Sequence, residues 1–568
     1  MGPKFRNFFG ELKRRKVYQA AVVYTVVGLG VLGAAELILD PLGLAAARPF
    51  IVVITILGLP IALVLSWAYD LRPESEGHST RHAHNQNVQT GNAARALLDS
   101  AHNRSIIVLP FDNLSPDSAD SYFSDGLTEE VTSHLSYLRA LRVISRNSAM
   151  VIKNTQMDTR SISRELDVRY VLEGSVRKAG DELRITVQLI DADVDQHLWT
   201  ETYEGSLEDV FKIQEEVSKS IVEALDLRIS AGEWRQLSQR SVDNIRAYDC
   251  YLGARKEAFR MTPEGLTRAL RELELGIETF GESELLIQGI ATVHLQSYEM
   301  GVKADDETLE LAEQIANKIV ASYGETISSF YIRGRIERFR GNNEQAFRLF
   351  KRVLDIEPNH VEALTFGVES GGVQCGRPDL VKDWASRLET IDPLSAIPVM
   401  VVANFYWVTG RLEESLAAHE RVLAFEPDAS AEQLFMCYVL ISQGKEEQAD
   451  ELISRIIEHG QLDDYVDLAL LMRHAINGDA KTASGVLSSS SRDYFRRDPE
   501  LQYLVAALLA KAGALDESIE WFNHCVNRGW QNYPLFAEGD VLLTEIRDDP
   551  RFQQILDRMK PKWESFEP

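Results

Sequence analysis

The chain has 568 residues, 45% of them apolar, which is enough hydrophobic material for more than one packed core and rules out a disordered chain. Its formal net charge of -26 argues against DNA or RNA as a general partner, because such binding rests on clustered Lys and Arg neutralising phosphates. Four cysteines, Cys250, Cys375, Cys437 and Cys525, lie far apart with no CxxC and no Cys/His cluster, so buried free thiols are expected rather than disulfides or a zinc site.

Residues 1-16 form a basic start, with Lys4, Arg6, Lys13, Arg14, Arg15 and Lys16 against the single acid Glu11. Residues 17-39 and 50-69 are apolar runs long enough to cross a bilayer at about 1.5 Å per residue, joined by a short loop containing Asp40, Pro41 and Arg48. This pattern predicts a two-helix transmembrane hairpin. The excess of positive charge before the first run places the N-terminus in the cytoplasm, and two crossings return the rest of the chain there. The expectation is a multi-pass protein of the bacterial inner membrane with both termini and the soluble domains cytoplasmic. Ala45, Ala46 and Ala47 resemble a signal-peptidase site, but the apolar region is too long for a signal peptide and a second run follows at once. Gly28, Gly30 and Gly33 spell G-x-G-x-x-G, yet within an apolar span they read as positions of close helix approach rather than a dinucleotide turn.

Residues 71-103 are rich in polar residues and read as a linker; His78, His82 and His84 within it lack acidic or Cys co-ligands and are read as solvated. Residues 104-230 read as an α+β domain. Strands are expected at 106-111, 141-145, 170-177 and 183-191, the last two paired around Ala179-Gly180-Asp181-Glu182, with helices at 125-138, 162-166 and 207-229. Asp125, Glu129 and Glu130 cluster where a helix is expected to start, with Ser124 or Asp125 as its cap and the glutamates at its positive end.

The segments Ile107-Val108-Leu109-Pro110-Phe111-Asp112-Asn113-Leu114, Tyr122-Phe123-Ser124-Asp125-Gly126-Leu127-Thr128-Glu129-Glu130 and Tyr170-Val171-Leu172-Glu173-Gly174-Ser175-Val176-Arg177 occur in order, followed by Leu189-Ile190-Asp191-Ala192 and His197-Leu198-Trp199. Together they resemble the TolB N-terminal-like domain of bacterial signalling chains. That resemblance implies a sensing or adaptor module, which in such chains often follows a winged-helix or nucleotide cyclase effector. The first hundred residues here have no room for either.

The C-terminal half is organised by Gly341, Gly376, Gly410, Gly444, Gly478 and Gly513, spaced by 35, 34, 34, 34 and 35 residues. Such a period marks stacked helix pairs, because one pair cannot bury its own apolar face. Five residues after each glycine stand Ala346, Val381, Ser415, Ala449, Ala483 and Ser518, and Pro358, Pro393 and Pro427 punctuate the first three units. The spacing resembles the tetratricopeptide repeat. It predicts an all-α solenoid over 247-533 and a capping segment over 534-568.

The resemblance implies a groove for a protein or peptide partner on the first helices. Helical spacing puts Tyr331, Arg335, Arg338, Phe366, Asn404, Trp407 and Tyr438 on that face, and aromatic and Arg side chains are the types that anchor binding. No residue set matches the two-carboxylate clamp for C-terminal peptides. The chain lacks GxSxG, HExxH and GxxxxGK[ST], so no catalytic, cofactor or metal site is expected. The expected function is a membrane-tethered scaffold or signalling adaptor; the alternative is a regulator whose TolB-like domain binds a small ligand and alters exposure of the repeats.

Overall fold

Helix-breaking glycines at the period of the helix pairs set the architecture of the larger part of this chain. The computed structural model describes residues 102-116, 121-155, 157-230, 232-234, 245-460 and 462-568. The basic start, both apolar runs and residues 71-101 of the linker lie outside them. Among the described residues no helix is long and apolar enough to cross a membrane. All described residues belong to one compact unit, Ala93-Pro568.

The first part is a six-stranded sheet: β1 (Ser105-Val108), β2 (Asp112-Asn113), β3 (Arg142-Val143), β4 (Tyr170-Ala179), β5 (Glu182-Asp191) and β6 (Gln196-Ser206). The order is β3-β1-β4-β5-β6, with β2 beside β4. Strands β3, β1 and β4 are parallel, whereas β4, β5 and β6 form an antiparallel meander.

The helices are α1 (Ser121-Ser136), α2 (Arg146-Thr155), α3 (Thr159-Leu166) and α4 (Val210-Ala224). The connection from β1 to β3 through α1 runs one way along the sheet, and the connection from β3 to β4 through α2 and α3 runs back past β1. Right-handed crossovers in opposite directions put their helices on opposite faces. Ile106, Val108 and Leu172 accordingly pack with Val131 of α1 and Val217 of α4, while Ile107 and Val171 pack with Ile152 of α2 and Ile162 of α3. This is a small α/β region with an antiparallel extension, where the strand pattern alone had read as segregated α+β. The β4-β5 hairpin turns through Gly180 at φ 65° in a two-residue loop, a conformation glycine supplies without strain.

Helix pairs follow: α5 (Ile245-Ala258) with α6 (Pro263-Phe280), α7 (Glu284-Glu299) with α8 (Asp306-Tyr323), α9 (Ile327-Phe339) with α10 (Asn343-Ile356), and α11 (Val361-Gly367), continued by a π-helical turn to Gln374, with α12 (Pro378-Ile391). Next come α13 (Ala396-Val408) with α14 (Leu412-Phe425), α15 (Ser430-Ser442) with α16 (Glu446-His459), α17 (Asp463-Ile476) with α18 (Ala480-Val486), the short α19 (Ser489-Phe495), and α20 (Pro499-Ala512) with α21 (Leu515-Asn527). The six periodic glycines sit at the turn inside each pair from α9/α10 onward, with φ between 65° and 89°. The residues five positions later are all buried at the helix crossings. In the fifth of these pairs the second helix breaks into α18 and α19, where Gly485 and a run of serines lower helix propensity.

The C-terminal segment does more than cap the last pair. Phe552 of α22 (Pro550-Glu564) packs on Phe522 of α21 with ring centroids 4.6 Å apart. The same segment also returns to the pairs nearest Gly341 and Gly376. Gln531 N donates to Gln374 O at 2.8 Å, Trp530 Nε1 to Val373 O at 3.1 Å and Trp563 Nε1 to Gly376 O at 3.0 Å. Burying Trp530, Phe536 and Phe566 draws this end of the chain back onto α10-α12 as well as onto α21.

Candidate functional site

The residues expected to line a groove fall into two groups. In the first, Tyr331, Arg338 and Phe366 remain half-buried, whereas Arg335 is 5% exposed and so is corrected from groove to interior. Arg335 donates to Glu299 at 2.7 Å and to the Tyr331 hydroxyl at 3.1 Å, and Arg338 forms a two-pronged pair with Glu369 at 2.7 and 3.0 Å. Both guanidinium groups lie over the Phe366 ring, at 4.8 and 5.1 Å from its centroid. Burial opposes the charge on Arg338, but Glu369 and Glu299 outweigh it and raise its pKa.

In the second group, Asn404, Trp407 and Tyr438 are interior residues, 4%, 5% and 1% exposed. Asn404 donates to Glu500 of α20 at 2.5 Å. Trp407 meets Tyr438, Tyr503 and Trp530 with centroids 5.4, 5.8 and 6.5 Å apart. The hydroxyls of Tyr438 and Tyr503 both donate to Asp540 Oδ2 at 2.6 Å. Burial pushes the Asp540 carboxyl above its ordinary range despite those two hydrogen bonds, and pushes Glu500 up further with Asp498 and Glu369 nearby. These three positions are thus corrected from groove to core: α20 and the segment around Trp530 and Asp540 cover the face that helical spacing identified.

The open part of the face adjoins the α/β region. The acidic cluster of α1 takes a role its sequence did not reveal. The helix starts at Ser121, so Ser124 and Asp125 lie inside it and Glu129 and Glu130 sit beyond its first turn, which holds no acid. Instead of capping, Glu129 pairs closely with Arg255 of α5 and at 3.7 Å with Arg146 of α2. Gly126 lets α5 approach, because a Cβ there would lie 2.4 Å from Leu252 Cδ1. Tyr248 and Leu252 of α5 complete the core over β1 and β4. The exposed Glu362 lies within electrostatic reach of Tyr251, Arg255 and Tyr331. Together these residues extend the Tyr331-Arg338-Phe366 strip to the domain boundary.

A second contact locks the two regions. Ser145 N donates to Ile391 O at 2.7 Å, and the hydroxyls of Ser145, Ser148 and Ser395 donate to Asp392 Oδ1 at 2.5, 2.6 and 2.5 Å. Among the described residues Asp392 Oδ2 has no hydrogen-bond partner, and burial raises the pKa of the carboxyl. Leu394 joins the apolar cluster of Ile144, Ala149 and Ile152. Pro393 signalled a helix end here, but nothing local in the sequence pointed to a domain contact. All four cysteines are free, three of them buried and Cys250 half-buried. Among the described residues no group of His, Cys, Asp and Glu is placed to hold a metal.

Residues 102-220 match the model of a family described as HilA/YgeH-like transcriptional regulator, second domain. The chain is 43% identical over 174 residues to a Rhizobium meliloti (strain 1021) protein provisionally named adenylate cyclase 3, a match spanning 31% of this chain and 30% of that relative's length. Among solved structures, a tetratricopeptide repeat protein from Parabacteroides merdae ATCC 43184 is similar at 14% identity and TM-score 0.31, covering 49% of this chain and 99% of the other. The APC/C hetero-tetramer Cut9-Hcn1 is similar at 13% identity and TM-score 0.32, covering 63% and 75%.

Proposed function

We propose that this chain is a non-enzymatic scaffold or signalling adaptor, held at the bacterial inner membrane by the apolar runs 17-39 and 50-69, with its folded regions in the cytoplasm. Its repeats hold a protein partner on the face of Tyr331, Arg338 and Phe366, extended by Tyr251, Arg255 and Glu362. The observation that carries this reading is the half-buried strip of Tyr331, Arg338 and Phe366 beside a tightly docked α/β region. The TolB-like module acts as its regulatory part. The likeness of residues 102-220 to a domain of transcriptional regulators, and of part of the chain to part of a protein named for a cyclase, supports a regulatory role. Tethering raises the effective concentration of a captured partner against other membrane components.

The test is crosslinked capture from membranes, with the intact chain compared against a Glu362→Lys, Tyr331→Ala variant whose melting curve is unchanged. A protein lost only from the variant supports the reading. The same catch from both sinks this face as the binding surface. Ligand-dependent stabilisation of the α/β region without any captured protein turns the reading towards a small-molecule sensor.

A further inference from the structure

The two ends of the glycine-anchored array meet at a seam. Gly341 and Gly529 touch backbone to backbone, so that a Cβ on Gly529 would fall 2.2 Å from Gly341 O, and Asn343 Nδ2 donates to Gly529 O at 3.0 Å. Arg348 donates through Nε and Nη2 to Glu567 O at 3.0 and 2.8 Å. Between these contacts opens a cleft of about 390 Å³, within the size range of small-molecule sites. Glu337, Asn343, Gln345, Arg348, Lys562 and Trp563 are among the side chains that line it.

Three features of the cleft lack a partner among the described residues. Asn343 is 3% exposed, yet its Oδ1 accepts no hydrogen bond, a costly arrangement for a buried polar group left dry. Its Nδ2 is committed to Gly529 O, which leaves Oδ1 as an acceptor for an incoming N-H donor. Helix α10 begins here without a side-chain cap, and its first helical bond is donated by Ala346 N to Asn342 O. The amides of Asn343, Glu344 and Gln345 therefore precede the helical ladder, at the positive end of a 14-residue helix that favours an anion. The exposed Lys562 forms no ion pair among the described residues, while Glu337, which also lines the cleft, accepts from Asn342 Nδ2 at 2.7 Å and pairs with Arg340 at 3.6 Å.

We propose that this seam binds a small zwitterion of the α-amino acid class. The carboxylate sits on the α10 amides and the Lys562 ammonium, the ligand ammonium donates to Asn343 Oδ1 and Glu337, and Trp563 covers its side chain. Because the cleft is built from both ends of the array, an occupant ties them together and stiffens the scaffold. The seam is distinct from the partner face, so either site can fail without the other.

The experiment is calorimetric titration of the detergent-solubilised full chain with glycine, L-glutamate and L-phenylalanine, with acetate and methylammonium as half-ligands. At least one amino acid is expected to bind at least tenfold more tightly than either half-ligand, and to lose at least tenfold in affinity in both Asn343→Leu and Lys562→Ala. Lys562→Ala, at an exposed position, should keep the parental melting temperature, so its loss of binding reports on the cleft and not on folding. The proposal is overturned if none of the three amino acids binds, if both variants bind as the parent does, or if acetate alone binds equally well.

Discussion

Ser145 and Asp392, 247 residues apart in the chain, share a buried hydrogen bond of 2.5 Å that joins the N-terminus of α2 to the end of α12. The Asp392 carboxyl meets three hydroxyls and, among the described residues, forms no ion pair, so hydrogen bonds alone offset the cost of burying it. Asp392→Leu leaves those hydroxyls buried without their acceptor and is expected to cost about 1-3 kcal/mol, read as a lower urea midpoint. Because burial raises the folded pKa above 3.8, the stabilisation associated with this group is complete below the unfolded pKa and is lost as pH rises through the folded value. Asp392→Asn removes the ionisation. The stability of the Asp392→Asn variant relative to the parent chain should therefore improve as pH rises from about 4 to about 8. A pH-independent difference would show that the folded pKa of Asp392 is not raised above its unfolded value.

Trp407→Ala empties the centre of an aromatic cluster and is expected to destabilise the chain by about 3-5 kcal/mol in a denaturant melt. Tyr438→Phe removes one of the two hydroxyls that donate to Asp540 and should cost about 1-3 kcal/mol. Loss of partner capture with Trp407→Ala but no change in stability would contradict the placement of this residue in the core.

Gly341→Ala and Gly410→Ala separate two costs. Both glycines have positive φ, 79° and 74°, which strains an L-residue by about 1-2 kcal/mol. At Gly410 a Cβ meets nothing within 4 Å, whereas at Gly341 it would lie 2.3 Å from Arg528 O. Gly341→Ala is expected to cost about 1-3 kcal/mol more than Gly410→Ala, with thermal melts of the two variants as the check.

His102 links Asp167, through Nδ1 at 2.9 Å, to Asp193, through Nε2 at 3.1 Å. Partial burial opposes its protonation, but the hydrogen bond and charge of Asp193 prevail and raise its pKa above 6.5. Its contribution to stability is therefore full below the unfolded value of 6.5 and lost as pH rises through the folded value. An NMR titration of the ring should show a midpoint above 6.5 that falls in Asp193→Asn. A midpoint unmoved by that substitution would remove Asp193 as the cause.

Much of the architecture is local chemistry, legible residue by residue. The helix pairs follow from glycines near a 34-residue period, because each turn needs a positive φ and each crossing a small side chain such as Ala346 or Ala449. The β4-β5 hairpin follows from Gly180 and the alternation of Ile185, Val187 and Leu189. Strand β6 escaped because it is an edge strand, largely solvated on both sides, whose Gln-His-Leu-Trp-Thr-Glu-Thr run lacks alternating apolar residues. The candidate site was legible only as a helix face. Spacing places Tyr331 and Tyr438 on equivalent faces, yet what covers each is decided by segments far away: Asp540, 102 residues on, bonds the buried Tyr438, while Tyr331 stays half-buried. The docking of Glu129 on Arg255 and of Asp392 on Ser145 likewise depends on partners distant in the chain. Periodicity specifies which side chains share a face, and only tertiary packing specifies whether that face meets solvent or the chain itself.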